Sequence, residues 1–306
     1  MKITLHSAYS FCQQGRRDYQ EDCRYPDMDM IDNRQCFFLV CDGVGGSEKG
    51  EVASQTVCDA FGKSLQRFDF TKGFSDDSFK SALDNAYDAL DHKARHGGSM
   101  DMGTTLTFVC FHADGCMMAH IGDSRIYHIR PNFGIMYRSS DHSYVNSLVH
   151  NGLISPEEAV NHPQSNIIER CMEPVEDDQR RCMATVMQTK DIVAGDYFIL
   201  CSDGVLHQLS DDDLVRIVSD NKMNDQEKTR EIAMQSKDSS DNNTAWVIHV
   251  KDVEYERYET SDETDSEENG YNTKRLTLSK HNQVEIESVQ SREDNSLIGW
   301  IKKIFK

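Results

Sequence analysis

Two stretches of this chain repeat one pattern. In FFLVCDGVGG, residues 37–46, five apolar or thiol residues run into Asp42 and glycines follow; in YFILCSDG, residues 197–204, a second such run reaches Asp203 and Gly204. Three further acidic positions follow the same logic. Asp123 comes after a strand-like run and a glycine in AHIGDSRIY, Asp241 stands just ahead of a strand in SSDNNTAWVIHV, and Glu21 and Asp22 are adjacent in RRDYQED. One Asp-Gly pair alone is a turn signal. Carboxylates at strand ends, however, lie on the rim of a sheet, where residues distant in sequence converge, and converging carboxylates repel. Hard divalent cations with oxygen ligands compensate that charge. Gly43, lacking a side chain, then lets its own carbonyl or the cation approach closely. On this reading each strand stops because its end is a metal ligand.

The elements that must carry these residues can be read from periodicity. Strands are expected at 36–41, 105–111, 117–121, 126–129, 197–201 and 245–250. EVASQTVCDAFGKSL places Val52, Val57, Ala60 and Phe61 on one side of a helix. SFKSALDNAYDAL sets Phe79, Ala82, Leu83, Ala86, Tyr87 and Leu90 at helical spacing. Two more helices announce themselves by capping chemistry: Ser155 with Pro156 and Glu158, and Ser210 with Asp213.

Composition narrows the partners. The 306 residues hold enough apolar side chains, 38%, for a sizeable core. A net charge of −19 excludes a nucleic-acid backbone, which requires a basic footprint. The ten cysteines include no C-x-x-C pair, which argues against zinc. The N-terminal residues turn polar too early for a signal peptide, and no run reaches membrane-spanning length. A cytoplasmic protein with free, mostly buried thiols is expected.

The pattern breaks after Val250. Eight acidic residues against one basic occupy 254–268, a run that repels itself and buries too little to fold. In NSLIGWIKKIFK, Leu297, Trp300, Ile301, Ile304 and Phe305 form a helical stripe beside lysines. The expected division is a catalytic domain at 1–252, an acidic disordered linker at 253–294 and a short amphipathic helix at 295–306. That helix could dock on a partner, on the catalytic domain or at a membrane surface.

The words GRRDYQED, VCDGVGG, GTTLT, IGDSRIY, SSDHS, LCSDG and DNNT stand in this order along residues 7 to 250. Together they resemble the metal-dependent type 2C protein serine/threonine phosphatases, the PPM family, in its bacterial form. The resemblance implies an α+β fold: a four-layer αββα sandwich of two mainly antiparallel sheets flanked by helices, with the metal site at one end. It implies Mn²⁺ or Mg²⁺, two per site, with a third, weaker site. Asp42 would bridge the two metals, Glu21 and the Gly43 carbonyl would complete one, and Asp203 and Asp241 would hold the other. Asp123 with Asp203 matches the third site, and Asp22 matches an acid that orients water. Arg17 matches the phosphate-binding arginine, whose planar fork suits two oxygens at once. The implied reaction is hydrolysis of phosphoserine or phosphothreonine by in-line attack of a metal-bridging water, with no covalent intermediate. Implied partners are phosphoproteins and a cognate Ser/Thr kinase, with the chain acting as a monomer.

Three positions depart from the family pattern. Val44 stands where some members have a histidine thought to protonate the leaving group; Glu173 stands where a glycine is usual after the flap helix; Gln20 replaces a commoner asparagine. His142 is expected to pack at a helix start, and His120 to be a core or edge residue with no histidine partner. LISPEEAVNHPQSN reads as the flap. Two rival readings are an inactive phosphatase-like binding module and a two-metal hydrolase of small phosphoesters. The complete set of carboxylates favours activity, and the acidic surface counts against a nuclease.

Overall fold

The computed structural model describes residues 1–255 except 33, 45–48, 98 and 161. The acidic linker and the amphipathic C-terminal helix therefore fall outside the described residues, apart from the few positions up to 255.

In chain order the strands are β1 (Lys2–Leu5), β2 (Ala8–Gln13), β3 (Cys23–Tyr25), β4 (Met30–Ile31), β5 (Phe37–Cys41), β6 (Gly43–Val44), β7 (Gly103–Thr104), β8 (Leu106–His112), β9 (Gly115–Ile121), β10 (Arg125–Arg130), β11 (Gly134–Arg138), β12 (Thr185–Thr189), β13 (Tyr197–Cys201) and β14 (Asn243–Glu254). The α-helices are α1 (Lys49–Leu65), α2 (Asp76–Arg95), α3 (Tyr144–His150), α4 (Pro156–Val160), α5 (Asp203–Leu206), α6 (Asp211–Ser219) and α7 (Asp225–Ser236). One sheet runs β11-β10-β13-β14-β2-β4, with β1 also on β14; the other runs β12-β9-β8-β5-β3; β6 and β7 form a separate ribbon. Every described pairing is antiparallel.

The apolar runs show no polar alternation because their strands are buried on both faces. In β5, Phe37, Leu39 and Cys41 enter a core with α1 and α2, while Phe38 and Val40 turn into the core between the sheets. In β13, Phe198 and Leu200 meet that same central core, while Tyr197, Ile199 and Cys201 pack under α5, α6 and α7. Strand period two thus feeds three apolar layers and makes a four-layer αββα sandwich. Phe38 and Trp246, both fully buried, join the sheets with rings 5.1 Å apart.

Helix starts follow the capping residues. Ser155 and Glu158 exchange bonds of 3.2 and 2.8 Å at α4, and Ser210 and Asp213 form a capping box at α6. β14 runs on to Glu254, past the expected boundary at 252, because Val253 pairs with Ile3 and Glu254 with Lys2.

Candidate active site

Strand register brings the acidic positions to one rim. In the smaller sheet Cys23 pairs with Cys41, Val40 with Thr107 and Leu106 with Ile121. Asp22, Asp42 and the turn bearing Asp123 therefore share one end. In the larger sheet Arg125 pairs with Cys201, Cys201 with Ala245 and Asn243 with Gln13. That end carries Asp203 at the start of α5, Asp241 just before β14, and the loop after β2 with Arg17.

Backbone and hydroxyl contacts fix each position. The Asp42 N–H donates to Thr105 Oγ1 at 2.9 Å, and the Asp42 carbonyl accepts from the Thr105 N–H at 2.8 Å and from Thr104 Oγ1 at 2.9 Å. Thr105 Oγ1 in turn meets Ser124 Oγ at 2.8 Å, beside Asp123. The Glu21 N–H donates to Asn242 Oδ1 at 2.8 Å, while Asn242 Nδ2 donates to the carbonyls of Gln14 and Tyr19 at 2.8 and 2.9 Å. One buried amide thus clamps the loop that carries Arg17 and Glu21. Arg17 Nη2 donates to Asp241 Oδ2 at 2.6 Å.

The glycines serve close approach. A Cβ on Gly204 would lie 1.9 Å from the Asn242 carbonyl oxygen, and one on Gly43 would lie 2.4 Å from the Gly50 backbone. A Cβ on Gly50 would sit 2.6 Å from Glu21 Oε1 and 2.9 Å from the Gly43 carbonyl oxygen, so both oxygens border one spot kept free of side chains.

The electrostatics are those of crowded carboxylates. Burial holds Asp42 well above the usual carboxylate range, and the charges of Asp22, Asp203, Asp123 and Asp241 push it the same way. Burial raises Asp22, with the hydroxyls of Ser202 and Thr244 opposing it. Burial and the Asp203 charge lift Asp123 to about 7. Burial also raises Asp203 and Glu21. Among the described residues, every buried carboxylate oxygen without a hydrogen-bond partner belongs to this group: Glu21 Oε1, Asp22 Oδ1, Asp123 Oδ1 and Asp203 Oδ1. Unpaired buried carboxylate oxygens are costly unless a cation meets them, so the donor set fits hard divalent ions.

All the expected site residues reach this rim, including Gly43 in β6. Val44 pairs with Gly103 in the β6–β7 ribbon. Glu173 is exposed, and its Oε1 accepts from Cys171 Sγ at 3.2 Å. His120 is a buried residue of β9, as expected, but it does have a histidine partner: it stacks on His142 with ring centroids 4.5 Å apart. Their Cα atoms are far apart in sequence, and only β9 meeting the loop after β11 brings them together. His142 Nδ1 accepts from the Gly122 N–H at 3.1 Å and the His142 backbone N–H donates to the Gly122 carbonyl at 2.9 Å, so His142 braces the turn that bears Asp123.

Two contributors escaped the sequence reading. Asn242 was visible only as part of DNNT. His207, four residues after Asp203, forms a group with Asp203 and Asp241 whose ligand atoms lie within 4.8 Å of one another.

Comparison with known proteins bears on the family and the fold. The family model described as Protein phosphatase 2C matches residues 25–237. A 2C-type protein phosphatase of Streptococcus pyogenes is 30% identical over 84% of this chain and all of its own length. The serine/threonine protein phosphatase PstP of Mycobacterium tuberculosis is 32% identical over 71% of this chain, which spans 40% of PstP. The crystal structure of the M. tuberculosis PstP/Ppp phosphatase superposes with a TM-score of 0.70 at 27% identity, covering 81% of this chain and 100% of that one. The PstP catalytic domain in complex with two manganese ions gives 0.66 at 25% identity, covering 82% and 100%.

Proposed function

This chain belongs to the protein phosphatase 2C family, and on that premise we propose that it hydrolyses phosphoserine and phosphothreonine in protein substrates with the help of two divalent cations. The observation that carries the reading is the convergence, where the ends of the two sheets meet, of four partnerless buried carboxylate oxygens beside an arginine.

Asp42 would bridge both ions. Glu21 and the Gly43 carbonyl would hold one, Asp203 and Asp241 the other, and Asp123 with Asp203 a third, weaker ion. Two Mn²⁺ or Mg²⁺ ions held there would supply water ionisable near neutral pH and positive charge for the transferring phosphoryl group. The manganese in the related PstP catalytic domain supports Mn²⁺ as the first ion to test.

The protein's own part is positioning. Arg17 Nη2 rests on Asp241 Oδ2, so its guanidinium is already at the rim and can present two parallel N–H groups to phosphate oxygens. Asp22 Oδ2 is held by the Ser202 hydroxyl at 2.7 Å, which leaves Oδ1 as acceptor for a solvent proton. Water then displaces the serine or threonine alkoxide in line, and no phospho-enzyme forms.

The relatives' names support phosphoproteins as substrates, and with them a Ser/Thr kinase that loads the phosphate. All ten cysteines are free, which supports a reducing compartment such as the cytoplasm. Among the described residues no helix is long and apolar enough to cross a membrane. The proposal includes a catalytic unit that ends with β14 at Glu254 and acts as a monomer, with the tail as a docking element. Phosphate release from a phosphothreonine peptide, measured with Mn²⁺ and again with excess chelator, tests the central reading. Release only in the presence of Mn²⁺ is expected; none in either condition from folded protein would refute it.

A further inference from the structure

His207 lies where a nitrogen donor can join the carboxylates. We propose that it is a ligand of the metal centre, and that it turns the Asp203–Asp241 side of that centre toward transition ions and away from Mg²⁺. This rests on the two-metal phosphatase reading and adds to it a determinant of metal choice.

Local structure places the imidazole. α5 is a single turn whose first residue is Asp203, and His207 closes it with helical backbone angles of φ −65° and ψ −21°. The His207 N–H donates to the Asp203 carbonyl at 3.0 Å. Positions i and i+4 share a helix face, so the carboxylate and the ring stand side by side. Val205, fully buried between them, anchors the turn in the core.

The pair is too far apart for a direct bond and close enough to share an ion. His207 Nε2 lies 3.5 Å from Asp203 Oδ2, whereas an N–H···O hydrogen bond settles at about 2.9 Å. Adjacent donors each about 2.1 Å from one octahedral ion are about 3.0 Å apart, within reach of this pair by a small rotation of the ring. Asp241 contributes a third donor, with all three ligand atoms within 4.8 Å of one another. The plain alternative is a partly exposed i,i+4 His–Asp pair, which contributes little to stability. That alternative leaves the buried Asp203 Oδ1 without a partner.

Donor chemistry sets the consequence. Mg²⁺ takes oxygen ligands and keeps several waters, while imidazole favours first-row transition ions. A centre of carboxylates and one imidazole therefore holds Mn²⁺, Fe²⁺ or Co²⁺ more firmly relative to Mg²⁺ than carboxylates alone would.

The test uses the full chain, stripped with chelator and reloaded with Mn²⁺. Electron spin-echo envelope modulation reads directly bound ¹⁴N, and Mg²⁺ competition reads selectivity, in wild type, His207→Ala and His207→Asp. The wild type should show imidazole ¹⁴N coupling and both variants should lose it. His207→Asp, which restores an oxygen donor, should keep the full Mn²⁺ count. In His207→Ala the Mg²⁺ needed to displace Mn²⁺ should fall by about tenfold or more, the scale of effects around metal ligands. Bound Mn²⁺ and metal-dependent phosphate release without ¹⁴N coupling in the wild type would overturn the role of His207 alone. Unchanged coupling or selectivity in His207→Ala would do the same. No bound Mn²⁺ at all would overturn the phosphatase reading beneath it.

Discussion

The Ser202 hydroxyl donates to Asp22 Oδ2 at 2.7 Å and accepts from the Thr244 N–H at 3.0 Å, so one buried oxygen ties the loop before β3 to the ends of β13 and β14. It bridges the two sheets at the rim where the carboxylates meet. Ser202→Ala leaves a buried carboxylate oxygen and a buried N–H each short of a partner. The expected cost is about 1–3 kcal/mol of stability, read by urea denaturation. Phosphate release should drop about tenfold in kcat with little change in KM, because Asp22 loses its orientation while Arg17 is untouched.

Arg17 is half exposed, so its ion pair with Asp241 contributes little to the fold. Arg17→Ala should leave the melting temperature close to the wild type and raise KM for a phosphothreonine peptide about tenfold. Arg17→Lys should recover only part of the loss, since an ammonium keeps the charge without the bidentate fork. Full recovery with lysine would show that charge alone is used.

Acid stability should depend on a group far from the rim. Asp196 is fully buried; burial alone would raise its pKa, but bonds from His128, Arg130 and the Val193 N–H prevail and hold it at about 2. A carboxylate whose folded pKa is depressed adds stability above its unfolded value, and that stability is lost as pH falls through the folded value. Between about pH 4 and pH 2 the wild type should lose about 2 kcal/mol through this group. The difference between wild type and Asp196→Asn in urea midpoint should shrink across that window.

Metal removal should act in the opposite pH direction. In chelated protein, burial raises Asp123 to about 7 and raises Asp22, Asp42 and Asp203 as well. Raised folded values mean that the stabilising contribution is present at acid pH and is lost as pH rises through about 7. The melting temperature of chelated protein should therefore fall between pH 5 and pH 8, and added Mn²⁺ should restore most at pH 8. Differential scanning fluorimetry across that range checks it; a Mn²⁺ effect independent of pH would count against convergent carboxylates.

Strands buried on both faces were the most legible elements. β5 and β13 read as unbroken apolar runs, and each ends one or two residues before the acidic residue that its register carries to the rim. Edge and surface elements were not legible. β12 is an edge strand with mostly exposed side chains, and α7 buries Ile232 and Ala233 among many polar residues, so neither shows a clear period. The carboxylates stood out because Asp-Gly after an apolar run is distinctive. The His120–His142 stack did not, because nothing local marks a histidine whose partner is distant in sequence.

The most direct test of convergence is an anomalous difference map from a crystal of the chain grown with Mn²⁺. The account predicts two strong peaks between Asp42, Asp203, Asp241 and Glu21, at oxygen distances of about 2.1 Å. A map with Mn²⁺ in the drop and no peak among these side chains would contradict it.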